Sequence, residues 1–400
     1  MKRILFITTR IPYPPKEGHQ IRTYHLLRQL AKDYEVHLLS FCRKDERCDH
    51  IEGLKDICTG GSTFPIPLQH NRLRLVWDIL ISPLRRLPFV VTRYKSNELS
   101  VAIEQAIKDY HPDLIHLDML PLGIYIKQIQ GFPVVLNNHN VESLLLTRRA
   151  QATRNPLFKL FFHIQAIKLK KFEIESCSIV DRVLVCSETD QAVLTALVPE
   201  ARIEVIPNGV DCEIYKPSEQ KPDIRELVFV GGMGWFPNRD AINYFLAQIL
   251  PELHDKDENI KLTVVGKTGD LKLPESMEGI VEFTGFVDDF RSIVHRAGIY
   301  ILPIRIGSGT RLKALEAMAM GKAIVSDPVG VEGIDLQNGK DVLLASDAGS
   351  FVQGILDLVN KPELAKQLGM QARKLAVEKY DWKIIGENLS RLYAGLIYSE

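Results

Sequence analysis

A glycine loop followed by two cations is the strongest chemical signal in this sequence of 400 residues. The run Gly307-Ser308-Gly309-Thr310 comes after an apolar stretch that predicts a strand and before a pattern that predicts a helix. Free backbone N–H groups and the positive end of a helix converge at such a junction, which favours phosphate binding. Arg311 and Lys313 in the first turn would oppose the helix dipole unless an anion lay between them. The loop therefore predicts a phosphate site.

Glu316 lies one turn into the same predicted helix, where its carboxylate could accept hydrogen bonds from sugar hydroxyls. The alternative is a flexible loop before a solvated helix with an Arg311–Glu316 ion pair, since exposed polar faces are common. A second glycine loop, Gly231-Gly232-Met233-Gly234, follows another predicted strand. Close approach of the backbone to a ligand and a plain tight turn explain this loop equally well. Gly232 is therefore a candidate ligand contact.

Two further candidates lie in loops after predicted strands in the first half of the chain. Gly18 follows the first strand, and His139 follows the strand Val134–Asn137. Because parallel strands bring their carboxyl ends to one edge of a sheet, we expect both residues to face the same cleft as the phosphate loop. On position alone, a functional His139 and an ordinary surface histidine are equally supported.

Several classes of protein are disfavoured because their motifs are missing. Pro237 occupies the third glycine position of a G-x-G-x-x-G motif, which disfavours a dehydrogenase, and no P-loop motif supports an ATPase or kinase. The six cysteines form no C-x-x-C pair and no zinc-type spacing, so we expect no metal site and reduced thiols in a cytoplasmic protein. Basic and acidic side chains number 50 each, which argues against a nucleic-acid partner.

Two series of strands and helices must position these candidates. Short runs rich in β-branched residues, without polar alternation, predict parallel strands that are buried on both faces. The predicted strands are Arg3–Thr8, Val36–Ser40, Asp113–Leu117, Val134–Asn137, Arg182–Cys186 and Ile203–Ile206, then Glu226–Gly231, Lys261–Gly266, Val281–Thr284, Ile299–Leu302, Ala323–Ser326 and Asp341–Leu344. Turn residues around Asn208 separate a domain of residues 1–205 from a domain of residues 206–381. An amphipathic helix over 382–400 is expected to pack back on the first domain, and ligands are expected in the interdomain cleft.

The basic side chains are concentrated in the first half of the chain. Residues 1–180 hold 26 basic and 17 acidic side chains, and residues 181–400 hold 24 and 33. The basic and apolar stretches Leu68–Lys95 and Ser143–Phe172 suit helices that lie on anionic lipid headgroups at the inner face of the plasma membrane. Amphipathic helices that cover the sheet with a solvated basic face explain them equally well. No apolar run approaches the roughly 18 to 20 residues of a membrane-spanning helix.

Three segments together carry a family resemblance. Residues Val205-Ile206-Pro207-Asn208-Gly209-Val210-Asp211, Phe283-Thr284-Gly285-Phe286-Val287 and Leu315-Glu316-Ala317-Met318-Ala319-Met320-Gly321-Lys322 resemble those of glycosyltransferase family 4, whose fold is GT-B. The match runs through essentially the whole chain. Within that family, Pro12-Tyr13-Pro14-Pro15 and Asn138-His139-Asn140-Val141-Glu142 are similar to segments of bacterial sugar transferases from exopolysaccharide and exosortase-associated gene clusters.

The resemblance implies an α/β protein of two Rossmann-like parallel-sheet domains that face each other across a cleft. It also implies a retaining hexosyltransferase that uses a UDP- or GDP-linked sugar, without a metal or other cofactor, in bacterial polysaccharide synthesis. The acceptor would be a glycan or a lipid-linked sugar. The motifs leave open which sugar and which acceptor are used.

The resemblance also assigns roles to single residues. Glu316 matches the glutamate that holds the donor ribose, Gly285, Phe286 and Val287 match the segment that binds the base, and His139 matches a histidine near the transferred sugar. The backbone at Gly18, Asn208, Gly232, Gly307, Ser308, Gly309 and Thr310 would contact substrate. Ser308 stands where the family has its other glutamate. Arg311 and Lys313 would stabilise the charge of the leaving diphosphate where a metal otherwise would.

Two other functions remain open at this point. A non-hydrolysing nucleotide-sugar epimerase uses the same fold and also cleaves the anomeric bond, so the fold alone does not separate it from a transferase. Turnover of a nucleotide sugar without an acceptor would indicate the epimerase. A non-catalytic nucleotide-sugar binding protein is the other alternative, but such binding proteins are exported and this sequence begins with no signal segment.

Overall fold

The computed structural model describes residues 1–43, 48–67, 72–153, 155–269, 277–306 and 311–398, without the side chains of 48–50 and 72–76. The chain divides into two compact units. The first unit comprises Met1–Pro207 with Ile385–Glu400, and the second comprises Asn208–Ile384. The boundaries expected from the sequence were 205/206 and 381/382.

A parallel sheet forms the centre of the first unit. Its described strands lie in the order β3-β2-β1-β4-β5-β6-β7. They are β1 (Lys2–Thr8), β2 (Tyr34–Cys42), β3 (Gly60–Pro65), β4 (Leu114–Asp118), β5 (Val134–Asn137), β6 (Arg182–Val185) and β7 (Ile203–Val205). The apolar runs are buried as predicted, and Ile4 to Ile7 of β1 are wholly inaccessible to solvent. Strand β3 was not predicted, because its glycines and half-exposed residues give no apolar run.

Helices cover this sheet and connect its strands. They are α1 (Gly18–Leu30), α2 (Arg72–Ile81), α3 (Phe89–Thr92), α4 (Asn97–Tyr110), α5 (Glu142–Ala152), α6 (Pro156–Cys177) and α7 (Glu188–Leu197), with 3-10 helices at Cys48–Leu54, Ser82–Leu84 and Leu120–Gln128. Helix α6 has 22 residues and packs along α5. No helix in the described ranges is long and apolar enough to cross a membrane.

A second parallel sheet forms the centre of the second unit, with described strands in the order β10-β9-β8-β11-β12-β13. They are β8 (Asp223–Val230), β9 (Lys261–Val265), β10 (Val281–Gly285), β11 (Ala297–Leu302), β12 (Ala323–Ser326) and β13 (Leu343–Leu344). The helices are α8 (Phe236–Tyr244), α9 (Leu250–Lys256), α10 (Arg291–Arg296), α11 (Leu312–Ala319), α12 (Ala348–Asn360) and α13 (Pro362–Leu375), with π-helical turns at Phe245–Ile249 and Ala376–Tyr380 and a 3-10 helix at Pro328–Val331. Two parallel α/β sheets in series confirm the predicted fold class.

The last helix, α14 (Trp382–Tyr398), packs on the first unit. Its Tyr393 hydroxyl is hydrogen-bonded to Nδ1 of His116 in β4. The backbone at Gly386 lies against α1 so closely that an added Cβ would be 2.4 Å from Cβ of Gln29. The first unit therefore combines the N-terminal half of the chain with residues that follow the second unit.

The cysteines differ from the sequence expectation at one position. Cys58, Cys177, Cys186 and Cys212 are buried free thiols. Cys42, at the end of β2, is disulfide-bonded. The expectation that all the thiols are reduced is therefore wrong at Cys42.

Candidate active site

Three neighbouring strands of the first sheet end in polar residues that lie side by side. Thr8 of β1 is in register with Asp118 of β4, and Asp118 is in register with Asn137 of β5. Thr8 and Thr23 donate hydrogen bonds to Oδ2 of Asp118 at 3.0 and 2.7 Å, and Asn137 donates to Oδ1 at 2.7 Å. His139 Nε2 lies 2.9 Å from the same Oδ1. The carboxylate therefore fixes the histidine that the sequence singled out.

The ionisable side chains at this edge of the sheet change one another's pKa values. Burial raises the pKa of Asp118, but the charge and hydrogen bonds of His139 and His116 outweigh it and hold that pKa well below its usual range. Burial, followed by the charges of His139 and Arg10, lowers the pKa of His19 to about 4. The carboxylate is thus ionised and His19 is neutral at neutral pH. An N–H at Nε2 of His139 directed to Asp118 leaves Nδ1 as a proton acceptor.

Asp118 and Arg22 belong to this site and were not selected from the sequence. Arg22 on α1 is 1% exposed, and its guanidinium donates to the carbonyl oxygens of Ile206 and Pro207 and to Asn137 Oδ1 at 2.7, 2.9 and 3.1 Å. Asp118 directly follows the predicted strand Asp113–Leu117, so a polar residue at a strand end was the available signal. Gly18 is the exposed first residue of α1 and forms no part of the hydrogen-bond network around Asp118.

Three glycine-containing loops lie together at the carboxyl edge of the second sheet. The Gly231 N–H donates to the Val265 carbonyl at 2.8 Å, and the Gly266 N–H donates to the Gly285 carbonyl at 3.0 Å. A Cβ on Gly266 would lie 2.6 Å from the Gly231 oxygen, and φ of Gly266 is +140°, so only glycine fits there. Gly232 is exposed, and a Cβ there would have 4.0 Å to its nearest neighbour. These loops leave open space next to Gly232.

Aromatic rings hold both cations at the start of α11. Arg311 is the N-cap residue, 9% exposed, and its guanidinium carbon lies 5.3 Å from the Trp235 ring centre, which joins α11 to the loop after β8. Burial lowers the pKa of Arg311. The Lys313 ammonium lies 4.2 Å from the Phe290 ring centre. Gly307, Ser308, Gly309 and Thr310 lie outside the described residues.

Glu316 is buried beneath these groups. Its Oε2 lies 2.8 Å from the Lys313 ammonium, and a hydrogen bond from Tyr215 to the carboxylate works against a rise of its pKa. Burial raises the pKa of Glu316, and the charge of Lys313 opposes that shift. Tyr215 in turn stacks on Phe290 at 6.0 Å. The ion pair of Glu316 is therefore formed with Lys313, three residues before it, instead of the Arg311 pair considered from the sequence.

The remaining candidates of the second unit differ in exposure. Phe286 is 68% exposed directly after Gly285, whose φ is +71°, and the Lys267 ammonium lies 5.7 Å from its ring centre. Val287 packs on the core, and Asn208 is half-buried at the start of the unit. Within the described ranges, no three His, Cys, Asp or Glu side chains are grouped as metal ligands would be. Tyr215, Trp235 and Phe290 were not selected from the sequence.

Family models account for most of the chain. The model described as Glycosyltransferase Family 4 matches residues 17–214, and the model described as Glycosyl transferases group 1 matches residues 224–361. The chain belongs to the family 4 glycosyltransferases. The resemblance to family 4 and the prediction of an enzyme are both confirmed.

Relatives and solved structures agree with this assignment. The glycosyltransferase is 22% identical to a 44.6 kDa protein in the cps region of Klebsiella pneumoniae, over 96% of this chain and 97% of the relative. It is 24% identical to the GDP-mannose:cellobiosyl-diphosphopolyprenol alpha-mannosyltransferase of Xanthomonas campestris, over 71% and 74%. Sucrose-phosphate synthase of Thermosynechococcus elongatus superposes with a TM-score of 0.70 at 18% identity, with both chains fully covered. Anabaena Alr3699/HepE, solved with UDP and glucose, gives 0.66 at 14% identity over 99% of this chain and all of the other. These similarities confirm the GT-B fold.

Proposed function

We propose that this glycosyltransferase moves a sugar from a UDP- or GDP-linked donor, with retention of the anomeric configuration, to a lipid-linked or glycan acceptor in bacterial polysaccharide synthesis. The observation that carries the proposal is the buried Glu316 cluster at the start of α11. A carboxylate held by Lys313 and Tyr215 is suited to accept hydrogen bonds from the two hydroxyls of a ribose. UDP in the solved structure of the HepE relative is consistent with this class of ligand.

The departing nucleoside diphosphate gains negative charge during transfer. Arg311 and Lys313, together with the N–H groups at the start of α11, supply positive charge on the protein side, so the reaction does not require a metal ion. A leaving phosphate that assists the acceptor on the same face of the sugar accounts for retention without a pair of catalytic carboxylates. Phe286, exposed beside the loop after β9, is placed to stack on the nucleobase.

His139 acts on the sugar side of the reaction in this proposal. Asp118 holds its Nε2, so Nδ1 can accept a hydrogen bond or a proton from a sugar hydroxyl. Asp118 is a positioning residue, because it acts through His139.

The acceptor and the place of action are inferred from the first unit. Its basic and apolar helices suit the inner face of the plasma membrane, where a lipid-linked acceptor would be found. The Xanthomonas relative is named for a diphosphopolyprenol-linked acceptor, which is the same class of molecule. Binding to vesicles that contain anionic lipid should fall as salt is added. Salt-independent binding would contradict this placement.

A thermal-shift panel tests the donor assignment. UDP, GDP, ADP and their common sugar conjugates are added to the full chain with EDTA present, and one nucleotide family is expected to raise the melting temperature. Glu316→Gln should lose that shift, and Glu363→Gln, on the exposed first turn of α13, should keep it. No shift with any nucleotide would contradict the proposed donor class. Stabilisation only after EDTA is replaced by a divalent cation would contradict metal independence.

The configuration of the product tests retention. NMR of the glycoside formed from an α-linked donor should show an α-linkage, and a β-linkage would contradict a retaining mechanism. Release of an epimerised nucleotide sugar without any acceptor would replace the transferase with the epimerase.

A further inference from the structure

An apolar groove of about 880 Å³ lies in the first unit between the end of α2, α3, α5 and α6. Ligand sites of this size are common, and most of their lining is apolar. Three large side chains on the groove, Leu80, Leu157 and Phe158, are 66%, 77% and 59% exposed. A contiguous exposed apolar surface of this kind marks a binding site for another apolar molecule.

Two arginines lie in the wall of the groove. The guanidinium of Arg149 lies 4.5 Å from the ring centre of Phe162, and Nε of Arg93 is buried without a hydrogen-bond partner. In the described part of the chain, neither arginine has a carboxylate within ion-pair distance. By contrast, the nearby Arg85 forms an ion pair with Asp78 at 2.6 Å. The groove therefore combines an apolar lining with two arginines that form no ion pair within the described residues.

The groove reaches the loop that carries His139. Glu142 lines the groove and is the first residue of α5, three positions after His139. The charge of His139 affects the pKa of Glu142, which burial raises, so the two groups are close. Arg149 lies seven residues further along α5, about 10 Å from Glu142 at the helical rise. A molecule in the groove could thus extend from apolar residues, past the arginines, to His139.

A molecule that binds in the groove must match both its apolar lining and its two arginines. A helix that docks on a bilayer carries its cations on the polar face, outside the apolar surface. Here the half-buried Arg93 and the exposed Arg149 both line the groove among its apolar side chains, so a single molecule that fills the groove can also supply the anion. A hydrocarbon chain with a phosphate at one end has that arrangement.

We propose that this groove binds the hydrocarbon chain of a lipid phosphate or diphosphate acceptor, with the phosphate between Arg93 and Arg149. The inference rests on the proposed function, since it gives the class of acceptor for the same reaction. The sugar carried on that phosphate would extend towards His139. A bilayer surface and an apolar segment of another protein are the competing occupants.

Calorimetric titration of the full chain with farnesyl pyrophosphate, below its micelle concentration and without detergent, tests the proposal. Affinity should rise from dimethylallyl to geranyl to farnesyl pyrophosphate, since each buried methylene strengthens binding about fourfold in the ideal case. Inorganic pyrophosphate alone and farnesol alone should each bind at least about tenfold more weakly than farnesyl pyrophosphate.

Matched variants locate the binding. Phe158→Gln and Arg149→Gln should each weaken farnesyl pyrophosphate about tenfold. Ile167→Gln, an exposed residue of α6 outside the groove, and Arg148→Gln, the neighbour of Arg149 outside it, should have no effect. Because Phe158 is exposed, its substitution leaves the core intact.

Each other outcome overturns the groove assignment. Equal binding of pyrophosphate alone would mean a simple anion site, and equal binding of farnesol would mean an apolar surface for a protein segment. Binding only to vesicles of phosphatidylglycerol would mean a bilayer surface. The nucleotide thermal shift separates the two proposals: a chain that binds nucleotide but not farnesyl pyrophosphate loses only the groove, and a chain that binds farnesyl pyrophosphate but no nucleotide loses the proposed transferase reaction.

Discussion

The two candidate sites are built in different ways. In the first unit, His139 is fixed by Asp118, and Asp118 is fixed by residues at the ends of two neighbouring strands and by Thr23 on α1. In the second unit, Glu316 is held by one lysine and one tyrosine, and the cations beside it lie on the rings of Phe290 and Trp235. The first arrangement satisfies its polar groups with other protein groups.

The difference between the two sites fits the chemical roles that we propose for them. A histidine whose orientation is set by a buried carboxylate can accept or release a proton without rearrangement. In the second unit, Lys313 is paired with Glu316 and Arg311 lies on the Trp235 ring, so two positive charges lie together at the start of a helix, where an anion is favoured. In the reaction that we propose, the first unit handles the proton and the second unit binds the charged ligand.

Glu316→Ala should give the largest effect. Losing the ionised acceptor for two ribose hydroxyls should lower kcat/KM about 1,000-fold, since each charge-assisted hydrogen bond contributes about 1.5 to 3 kcal/mol. Steady-state kinetics with the donor identified by the thermal-shift panel measure it. Glu363→Ala, on the exposed start of α13, is the control. Near-normal kcat/KM would remove Glu316 from the donor site.

His139→Gln should affect the chemical step and spare donor binding. Loss of a positioned proton acceptor is expected to lower kcat about 100-fold. The thermal shift caused by the nucleotide should be the same as in the wild type, which sets this site apart from that of Glu316. His163→Gln, an exposed histidine of α6, provides the comparison. If His139→Gln weakened nucleotide binding as much as the Glu316 substitution does, the proposed separation of proton transfer and donor binding between the two sites would be wrong.

Arg311→Gln should weaken nucleotide binding about tenfold, because one charge-assisted contact to phosphate is lost. Acceptor affinity should be unchanged, and titration calorimetry with each substrate separates the two. Arg225→Gln removes an exposed cation at the other edge of the same sheet, paired with Asp257 at 2.7 Å, and should leave both affinities unaltered. Unchanged nucleotide affinity in the Arg311 variant would place its charge outside the phosphate site.

Glu173→Gln should leave catalysis nearly intact and change the pH dependence of stability. Burial raises the pKa of Glu173 to about 7, above its value of 4.5 when exposed. The folded state therefore holds this proton more tightly, and the resulting stability is present below pH 4.5 and lost as the pH rises through 7. The contribution is up to about 3 kcal/mol.

Urea unfolding at pH 4.5 and pH 8 measures that contribution. The wild type should lose stability between the two values relative to the glutamine variant. Glu175→Gln, an exposed position on the same helix, should follow the wild type. Parallel pH profiles for the wild type and the Glu173 variant would contradict the raised pKa.

The strands could be predicted from the sequence because burial on both faces leaves an unbroken apolar run. Strand β5 occupies the predicted residues Val134–Asn137. Strand β3 could not be found, because an edge strand with glycines has no such run. The described loops at the carboxyl edges follow strands that were predicted, whereas Gly307–Thr310 lies outside the described residues.

Partners within the candidate sites were harder to predict. Tyr215 and Phe290 stack although they lie 75 positions apart in the sequence, and no periodicity links them. The spacing alone argues against an Arg311–Glu316 ion pair, because side chains that meet on a helix lie three or four residues apart and these two lie five apart. Lys313, three residues before Glu316, has the spacing that the structure uses.

The closing helix α14 has a consequence for synthesis on the ribosome. Tyr34 donates to the Ser390 carbonyl at 2.9 Å and Tyr393 is hydrogen-bonded to His116, so the first unit needs residues that are translated after the whole second unit. At about 5 to 20 residues per second, the intervening residues 208–384 take about 10 to 35 s to emerge. Throughout that interval the nascent first unit exposes the face that α14 later covers. We expect chaperones to bind there, and the second unit to be the first part of the chain that can finish folding.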